Sequence, residues 1–378
     1  MPPIRKAAVL GAGVMGSAIA AHLANAGIPC LLLDIVPREL TEDEKKKGLT
    51  LESPQVRNRF AQNGLQNALK ASPAAFAHKS LARLVTPGNF EDDLPKLAEV
   101  DWVVEAVVER LDIKVSLFEK VAPHLKPGAL LTTNTSGLSV NAMAEALPEE
   151  LRPRFFGTHF FNPPRYMHLL ELIPARETAP ELLREFAAFA EKRLGKGVVY
   201  AKDTPNFIAN RIGVFSMLYI LRAMEKHGLT VEQVDALTGP ALARPKSATF
   251  RTADLVGLDV LAHVARTQYE GAPDDERREV FELPGWLQKM IEKGLLGMKT
   301  KAGFYKRVKE NGKKTTLVID PATLEYRPKA KADFPVLAET KTIDDPAARV
   351  ARLVADKSPA GAFAWDILAE TLLYCARR

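Results

Sequence analysis

Cysteine is almost absent from this 378-residue sequence. The two cysteines, Cys30 and Cys375, lie far apart and in apolar surroundings. A disulfide framework or a cysteine-based metal site is therefore not expected, and the default compartment is a reducing cytoplasm. We predict no metal site.

A strong excess of charge of one sign is also lacking. The sequence has 52 Lys and Arg against 46 Asp and Glu, a net charge of +6, and the charges are spread along the chain. No basic arm or basic and aromatic alternation favours nucleic acid, although a small polyanionic ligand would suit this charge. With 47% apolar residues, the chain is long enough for two or three domains with hydrophobic cores.

A long uninterrupted apolar segment is missing as well. Residues 7–33 carry no Asp, Glu, Lys or Arg and follow Arg5 and Lys6, which imitates a signal peptide or a membrane span. Four glycines and a proline interrupt this segment, a punctuation typical of strand, turn, helix, turn and strand. We expect neither a secretory signal nor a membrane span.

The interrupted segment predicts a βαβ unit around the stretch GAGVMG. A buried strand is expected at 7–10 and a helix at 14–25. Gly11 would permit the tight turn, Gly13 would let the backbone approach a pyrophosphate, and Gly16 would let the helix pack close to the strand. The sequence therefore predicts dinucleotide binding, and a tight turn without a ligand is the alternative.

The next predicted strand ends at Asp34, which favours the ligand-binding interpretation. Its carboxylate could accept hydrogen bonds from the adenosine ribose hydroxyls and would repel a 2′-phosphate. The sequence thus predicts NAD rather than NADP, although the nearby Arg38 would suit a 2′-phosphate.

A charged helical excursion is predicted at 40–77, after the βαβ unit. Strands and helices then alternate as far as residue 136. This excursion is either a solvated face or a contact for an anionic substrate tail. The alternation predicts an α/β fold with a Rossmann-type, doubly wound and mostly parallel sheet, whose ligands bind beyond the carboxyl ends of the strands. Glu109, Lys114 and Ser136 are expected at or just past such ends. The predicted elements are strands at 82–86, 101–109 and 129–136 and a helix at 112–125.

The stretch THFFNPPRYMHLLELIP places two histidines and a glutamate in an apolar run. Residues 154–160 and 167–173 are predicted strands, and the prolines between them require a hairpin-like reversal. If the reversal is centred on residue 165, His159 pairs with Glu171 on one face of the sheet. A histidine held by a carboxylate is a general-base arrangement, and a structural pair that satisfies itself is the alternative.

Asn210 is a further polar residue on a predicted apolar face. We expect a helix with Thr204 as its N-cap and Pro205 as its first residue. Asn210 then shares a stripe with Val214 and Leu221 and needs a hydrogen-bond partner. A substrate oxygen would serve, as would a cap or an interhelical contact.

Six motifs occur along residues 4–307: GAGVMG (11–16), EAVVE (105–109), NTSGLS (134–139), GTHFFNP (157–163), KDTPNFIANR (202–211) and KTKAGFY (299–305). In this order they resemble the L-3-hydroxyacyl-CoA dehydrogenase family. The resemblance implies NAD-dependent oxidation of an L-3-hydroxyacyl-CoA to a 3-ketoacyl-CoA in fatty-acid β-oxidation, with an acyl-CoA as substrate.

The resemblance also implies roles for individual residues. His159 would be the catalytic base, Glu171 its orienting partner, and Ser136 and Asn210 the ligands of the substrate oxygen. The context of Lys299 departs slightly from the family pattern, because Lys301 stands where the family usually has glycine. The residues implied at the NAD site are Gly11, Gly13, Val14, Met15, Gly16, Asp34, Ala106, Glu109, Lys114, Ser136, Asn162 and Lys299.

Three parts are expected along the chain. Residues 1–200 would form the NAD-binding Rossmann domain, 201–306 an all-α dehydrogenase domain, and 307–378 a linker with a partial second helical domain. The sequence ends within an apolar helix, so we expect either a piece of a bacterial fused dehydrogenase and hydratase or a helix that docks on a partner subunit. The expected assembly is a homodimer or part of a larger multifunctional chain.

Two other functions remain open from the sequence. One is a 3-hydroxybutyryl-CoA dehydrogenase or a related NAD-dependent hydroxy-acid dehydrogenase. The other is a non-catalytic NAD-binding protein. The joint presence of His159, Glu171, Ser136 and Asn210 favours catalysis, because a retired site has no reason to keep a buried charged pair.

Overall fold

The computed structural model describes residues 3–310 and 313–378. The chain forms two compact units, Met1–Phe207 and Ile208–Arg378. Residues after 307 belong to the second unit and share its hydrophobic core. The division of the chain into three domains stays a prediction.

The first unit is built on an eight-stranded sheet with the order β3-β2-β1-β4-β5-β6-β7-β8. The strands from β3 to β6 pair in parallel, β6 and β7 pair antiparallel, and β7 and β8 are parallel. This confirms the predicted Rossmann-type fold class. The strands are β1 (Ala7–Leu10), β2 (Cys30–Asp34), β3 (Val85–Asn89), β4 (Trp102–Glu105), β5 (Leu130–Thr133), β6 (Phe155–Phe160), β7 (Leu169–Pro174) and β8 (Gly197–Tyr200).

Alternate residues of each strand point to opposite faces of this sheet, so both faces are apolar and helices cover both of them. In β1, Ala7 and Val9 enter one hydrophobic cluster, while Ala8 and Leu10 enter the other. All four are fully buried. The helices of this unit are α1 (Val14–Asn25), α2 (Glu42–Lys46), α3 (Pro54–Arg57), α4 (Arg59–Lys70), α5 (Leu111–Val121), α6 (Val140–Glu145) and α7 (Pro180–Leu194).

Several predicted strands are shorter in the structure. The strand expected at 82–86 begins only at Val85, because a 3₁₀ turn that starts after His78 occupies the preceding residues. The strand expected at 101–109 ends at Glu105, whose own carboxylate accepts a hydrogen bond from the Val107 amide at 2.7 Å. The strand expected at 129–136 ends at Thr133, whose hydroxyl accepts one from the Thr135 amide at 3.2 Å. Polar side chains therefore turn the chain at the carboxyl edge of the sheet.

The second unit is mainly helical and also contains a small antiparallel sheet with the order β11-β10-β9. The hairpin predicted after residue 306 is confirmed, but part of the predicted linker is the third strand. The strands are β9 (Tyr305–Glu310), β10 (Lys313–Ile319) and β11 (Tyr326–Pro328). The helices are α8 (Ala209–Lys226), α9 (Val231–Thr238), α10 (Phe250–Val256), α11 (Leu258–Gly271), α12 (Gly285–Glu292), α13 (Pro335–Thr340), α14 (Pro346–Val354) and α15 (Pro359–Arg377).

The start of α8 differs from the sequence prediction. Thr204 is not an N-cap and Pro205 does not open the helix, which begins at Ala209. The reason is the backbone of Asn206 and Phe207, whose φ angles of 61° and 50° lie in the left-handed region. Two such residues interrupt a right-handed helix, so the helix can start only after them.

The apolar C-terminal helix packs within its own unit. Phe363, Ile367 and Tyr374 of α15 are buried, and the Tyr374 ring stacks on Phe215 of α8 with the ring centroids 3.8 Å apart. In the part of the chain that the structure describes, no helix is long and apolar enough to cross a membrane.

A glycine allows α4 to pack tightly against the start of the βαβ unit. A Cβ on Gly64 would lie 2.5 Å from both the Ala12 carbonyl oxygen and the Ser17 hydroxyl oxygen. Ser17 donates its hydroxyl to the same Ala12 carbonyl at 2.8 Å. The predicted helical excursion is thus anchored on the glycine turn by a backbone approach that only glycine permits.

We predict that Gly64→Ala lowers the free energy of unfolding by about 1–3 kcal/mol, because the added methyl group forces α4 away from α1. Gly213→Ala is the matched control, since Gly213 also lies inside a helix but a Cβ there would meet nothing within 4 Å. That control should keep or raise stability by up to about 1 kcal/mol through helix propensity. Urea unfolding followed by circular dichroism measures both, and equal stability of the two variants would contradict the packing argument.

Candidate active site

The turn between β1 and α1 presents backbone to open space. Gly11 has a φ of +100°, and a Cβ there would lie 2.6 Å from the Ala106 carbonyl oxygen. A Cβ on Gly16 would lie 1.8 Å from the Gly11 carbonyl oxygen, whereas one on Gly13 would meet nothing within 4 Å. No side chain caps α1 after Gly13, so the N–H groups of its first turn are left for a ligand. This cradle fits the pyrophosphate of a dinucleotide.

Asp34 lies at the end of β2 beside the glycine turn. Its two carboxylate oxygens accept hydrogen bonds from the Ala12 amide at 2.6 Å and the Ile35 amide at 2.7 Å. Each oxygen keeps a further lone pair, so Asp34 retains acceptor capacity for ribose hydroxyls. Val14 and Met15 open α1 next to this turn, and the side chain of Val14 is exposed.

An ion cluster, formed by the buried Glu105 and Lys114 and the partly exposed Glu109, lies at the carboxyl end of β4. The Lys114 ammonium is 2.6 Å from Glu105 and 3.3 Å from Glu109, and Lys114 is only 1% exposed. Burial raises the pKa of Glu105 in spite of this cation. For Glu109 burial acts in the same direction, but the Lys114 charge and several hydrogen bonds outweigh it and lower the pKa. Glu109 is therefore ionised at neutral pH.

Glu109 holds the loop that follows β5. Its Oε1 atom accepts hydrogen bonds from the Thr135 hydroxyl at 2.6 Å, the Ser136 amide at 2.7 Å and the Ser136 hydroxyl at 3.1 Å. Ser136 itself is half-buried. The structure thus brings Glu109, Lys114 and Ser136 together, although Lys114 lies inside α5 rather than at a strand end. Glu105 and Thr135 belong to the same network and were not singled out from the sequence.

His159 and Glu171 form the predicted cross-strand pair. The antiparallel register of β6 and β7 places His159 opposite Glu171, and the His159 Nδ1 atom is 2.7 Å from a Glu171 carboxylate oxygen. His159 is 5% exposed and Glu171 is fully buried. A carboxylate bonded to Nδ1 orients the ring and directs Nε2 to exchange protons with another group.

Aromatic rings and a hydrogen bond fix the position of the histidine. The Phe161 and Phe207 ring centroids lie 4.3 Å and 5.8 Å from that of His159. The next residue, Phe160, donates its amide to the Asn134 side-chain oxygen at 2.9 Å. Because Asn134 starts the loop that carries Ser136, this bond connects the strand of His159 to that loop.

Lys196 is a positioning residue that the sequence analysis missed. Its buried ammonium donates to the carbonyl oxygens of Pro164 and, at 2.9 Å, of Met167, so it holds the turn between β6 and β7. The exposed Asn162 lies in the same turn. Burial lowers the pKa of Lys196 to about 8. A lysine between two glycines carries no sequence signal of burial, so only the structure identifies this contact.

Asp203 was missed as well, and it fixes the segment that follows Ser136. One Asp203 oxygen accepts the Val140 amide at 2.9 Å, and the other accepts the Asn141 amide at 2.8 Å and the Ser139 hydroxyl at 2.9 Å. A carboxylate at the start of α6 is favourable because the N-terminal end of a helix carries a partial positive charge. The acidic residue in the stretch KDTPN is the signal that could have indicated it.

Asn210 and Lys299 lie in the second unit. Asn210 is half-buried in the first turn of α8. The Lys299 ammonium contacts both carboxylate oxygens of Asp259 at 2.5 Å. The roles of both residues stay predictions.

The fold and this site define a protein with a dinucleotide-binding α/β unit followed by a mainly helical unit. A family model described as the NAD binding domain of 3-hydroxyacyl-CoA dehydrogenase matches residues 6–204, and the model of the C-terminal domain matches residues 207–307. The chain therefore belongs to the 3-hydroxyacyl-CoA dehydrogenase family. NAD is the cofactor of the matched domain, in agreement with the prediction from Asp34.

Individual relatives agree with the family. The chain is 51% identical over 373 residues to a probable 3-hydroxyacyl-CoA dehydrogenase of Bacillus subtilis, covering 99% of this chain and 47% of the relative. It is 35% identical over 334 residues to a putative fatty acid oxidation complex trifunctional enzyme of Rickettsia prowazekii, covering 88% of this chain and 44% of the relative. The chain thus spans about half the length of these curated relatives.

A solved structure shows the same fold. The crystal structure of FadB2 from M. tuberculosis is 31% identical to the chain, with a TM-score of 0.64. The similarity covers 81% of this chain and 99% of that one.

We predict that Lys114→Met destabilises the protein by about 3–5 kcal/mol at neutral pH, because it leaves the fully buried Glu105 carboxylate without its cation. A carboxyl group with a raised folded-state pKa stabilises the protein below its unfolded pKa and loses that contribution as the pH rises through its folded pKa. In this variant Glu105 is such a group. The loss of unfolding free energy relative to the wild type should therefore be smaller at about pH 5 than at about pH 7.5.

Urea unfolding at the two pH values measures this effect. Lys120→Met is the matched control, because Lys120 is an exposed lysine on the same helix, and it should stay within about 0.5 kcal/mol of the wild type. A deficit in Lys114→Met that grows on acidification would contradict the assignment.

Proposed function

We propose that the chain catalyses the NAD-dependent oxidation of an L-3-hydroxyacyl-CoA to a 3-ketoacyl-CoA in fatty-acid β-oxidation. The observation that carries this proposal is the buried His159–Glu171 pair, whose Nδ1 to carboxylate distance is 2.7 Å. The family membership and the names of the relatives support the same reaction. An acyl-CoA is the substrate expected for the family.

His159 is the proposed general base. Glu171 holds Nδ1, so the Nε2 atom takes the proton from the substrate 3-hydroxyl group, and the carboxylate stabilises the imidazolium that forms. The turn of Gly11, Gly13 and Gly16 would hold NAD, which would supply the hydride acceptor for the oxidation at C3. The aromatic rings of Phe161 and Phe207 exclude water around the imidazole.

Ser136 and Asn210 are the proposed ligands of the reacting oxygen. The contacts between Ser136 and Glu109 favour this role for Ser136. The Glu109 carboxylate accepts hydrogen bonds from both the amide and the hydroxyl of Ser136 and so fixes the loop in one geometry. A positioned hydrogen bond to the oxygen favours the reactive alignment of the substrate. Lys299 stays a proposed NAD ligand from the family resemblance, and within the second unit its ammonium pairs with Asp259.

The wider setting follows from the lengths of the relatives. Because the chain spans 44% of a relative named as a fatty acid oxidation complex trifunctional enzyme, we propose that this reaction is one step of a larger multifunctional chain. A homodimer is the other assembly that we propose, and the cytoplasm is the proposed location. A 3-hydroxybutyryl-CoA or another hydroxy acid as substrate, and a non-catalytic NAD-binding protein, are the alternatives that an activity assay separates.

We predict that His159→Ala lowers turnover by about 10²–10⁴-fold, because the reaction loses its general base while the NAD cradle is unchanged. NADH oxidation with acetoacetyl-CoA, followed at 340 nm at about neutral pH, measures turnover. A series of 3-ketoacyl-CoA substrates of increasing chain length then distinguishes a short-chain from a long-chain enzyme. NADPH in place of NADH tests the choice of cofactor that Asp34 predicts.

His168→Gln is the matched control, because His168 is the other histidine of the same hairpin and is exposed. Its turnover should stay within about threefold of the wild type. Equal activity of His159→Ala and the wild type would refute the general-base role. NADH binding without turnover of any substrate by the intact chain would favour the non-catalytic alternative.

A further inference from the structure

The second unit contains a cavity that has no part in the proposed dehydrogenase chemistry. It encloses about 670 Å³ between α9, α13, α14 and the segments that follow α9 and β11. About half of its lining comes from residues 232–251 and the rest from residues 329–349. The matched family domain ends at residue 307, so the second part of the lining lies outside it.

Positive charge dominates this cavity. Cationic side chains line it from both parts, and only two carboxylates oppose them. The cations are Lys246, Arg251, Lys329, Lys331, Lys341 and Arg349, and the carboxylates are Glu232 and Asp235.

Both carboxylates are already committed to other groups. Glu232 forms an ion pair with Arg327, which does not line the cavity, at 2.6 Å. Asp235 accepts hydrogen bonds from the Phe250 amide at 2.7 Å and the Tyr305 hydroxyl at 2.8 Å. The Glu232 charge is therefore compensated from outside the cavity. Burial raises the pKa of Asp235, and the charge of Arg251 opposes this shift and so compensates the Asp235 carboxylate.

The positive charges of the lysines, by contrast, are available to a ligand. Lys246, Lys329, Lys331 and Lys341 are exposed, and no carboxylate within residues 3–310 and 313–378 pairs with any of them at salt-bridge distance. Arg349 is different, because its guanidinium donates to backbone carbonyl oxygens, including that of Pro240 at 3.0 Å, and so fixes one wall. Several unpaired cations around a concave surface attract an anion of multiple charge.

The size and the remaining lining indicate what kind of anion fits. Ligand pockets typically measure about 300–1,000 Å³, and the volume here far exceeds the need of a single phosphate ion. Apolar groups of Ala236, Pro240, Ala241 and Leu337 form part of the wall. We propose that this cavity binds a nucleoside diphosphate group, with the lysines on its pyrophosphate and the apolar wall against its base.

The test uses the full chain, and because ADP can also enter the dinucleotide site of the first unit, binding to the cavity is measured as the difference between the wild type and a cavity variant. Isothermal titration with ADP should give a dissociation constant that increases with salt, since screening weakens contacts between phosphates and exposed lysines. The variant K329Q/K331Q/K341Q should bind ADP at least about tenfold more weakly, from three lost charge contacts. The control variant K192Q/K289Q/K293Q removes the same charge from exposed lysines outside the cavity and should bind like the wild type.

The proposal is overturned if the wild type does not bind ADP under these conditions, if both triple variants bind equally, or if inorganic pyrophosphate binds as tightly as ADP. If ADP binds as expected, titration with CoA identifies which molecule supplies the nucleoside diphosphate group. A parallel loss for CoA and ADP assigns the site to the ADP part of a coenzyme, and a loss for ADP alone assigns it to a free nucleotide. Unchanged turnover with acetoacetyl-CoA in the cavity variant shows that it is folded, so this result stays separate from the dehydrogenase proposal.

Discussion

The buried ammonium of Lys114 organises the carboxyl edge of the first sheet. It compensates the Glu105 carboxylate, which would otherwise lie in a low-dielectric interior without a counter-charge, and it also pairs with the partly exposed Glu109. Through Glu105 it connects to Thr133 at the end of β5, and through Glu109 to the amide and hydroxyl of Ser136. One cation therefore links β4, α5 and the loop after β5. A network in which every member is satisfied gives the loop a single geometry, which a site that orients a substrate requires.

A second constraint is the register of β6 and β7. Side chains alternate faces along a strand, so a shift of one residue would place His159 opposite Leu170 or Leu172 instead of Glu171. The turn between these strands is held from outside by Lys196, whose ammonium binds two of its carbonyl oxygens. The Asn134 contact to the Phe160 amide then joins this hairpin to the loop of Ser136. The two polar networks of the first unit are thus connected through the backbone of neighbouring strands.

The parts of the fold that were predictable from sequence are those set by short-range patterns. The bounds of β1 and α1 and the end of β2 at Asp34 agree with the structure, because glycine spacing and apolar periodicity determine them locally. The pairing of His159 with Glu171 was predictable because two prolines fix the centre of the reversal. The strand ends at Glu105 and Thr133 were not predictable, since each depends on a side chain that accepts a hydrogen bond from the backbone amide two residues later. The predicted start of α8 was wrong because Asn206 and Phe207 adopt positive φ angles. Neither residue is a glycine, so the sequence does not indicate this conformation.

The charged residues show a deeper limit of sequence reasoning. Lys114, Lys196 and Lys329 are chemically identical, yet the first neutralises a buried carboxylate, the second holds a turn through carbonyl oxygens, and the third is exposed beside a cavity. A lysine in sequence carries no sign of which environment the fold will give it. Desolvation decides the outcome, because a buried ammonium is tolerated only where acceptors surround it, while an exposed one stays available to a ligand. Burial and partners therefore have to be known before a basic residue can be assigned to structure or to binding.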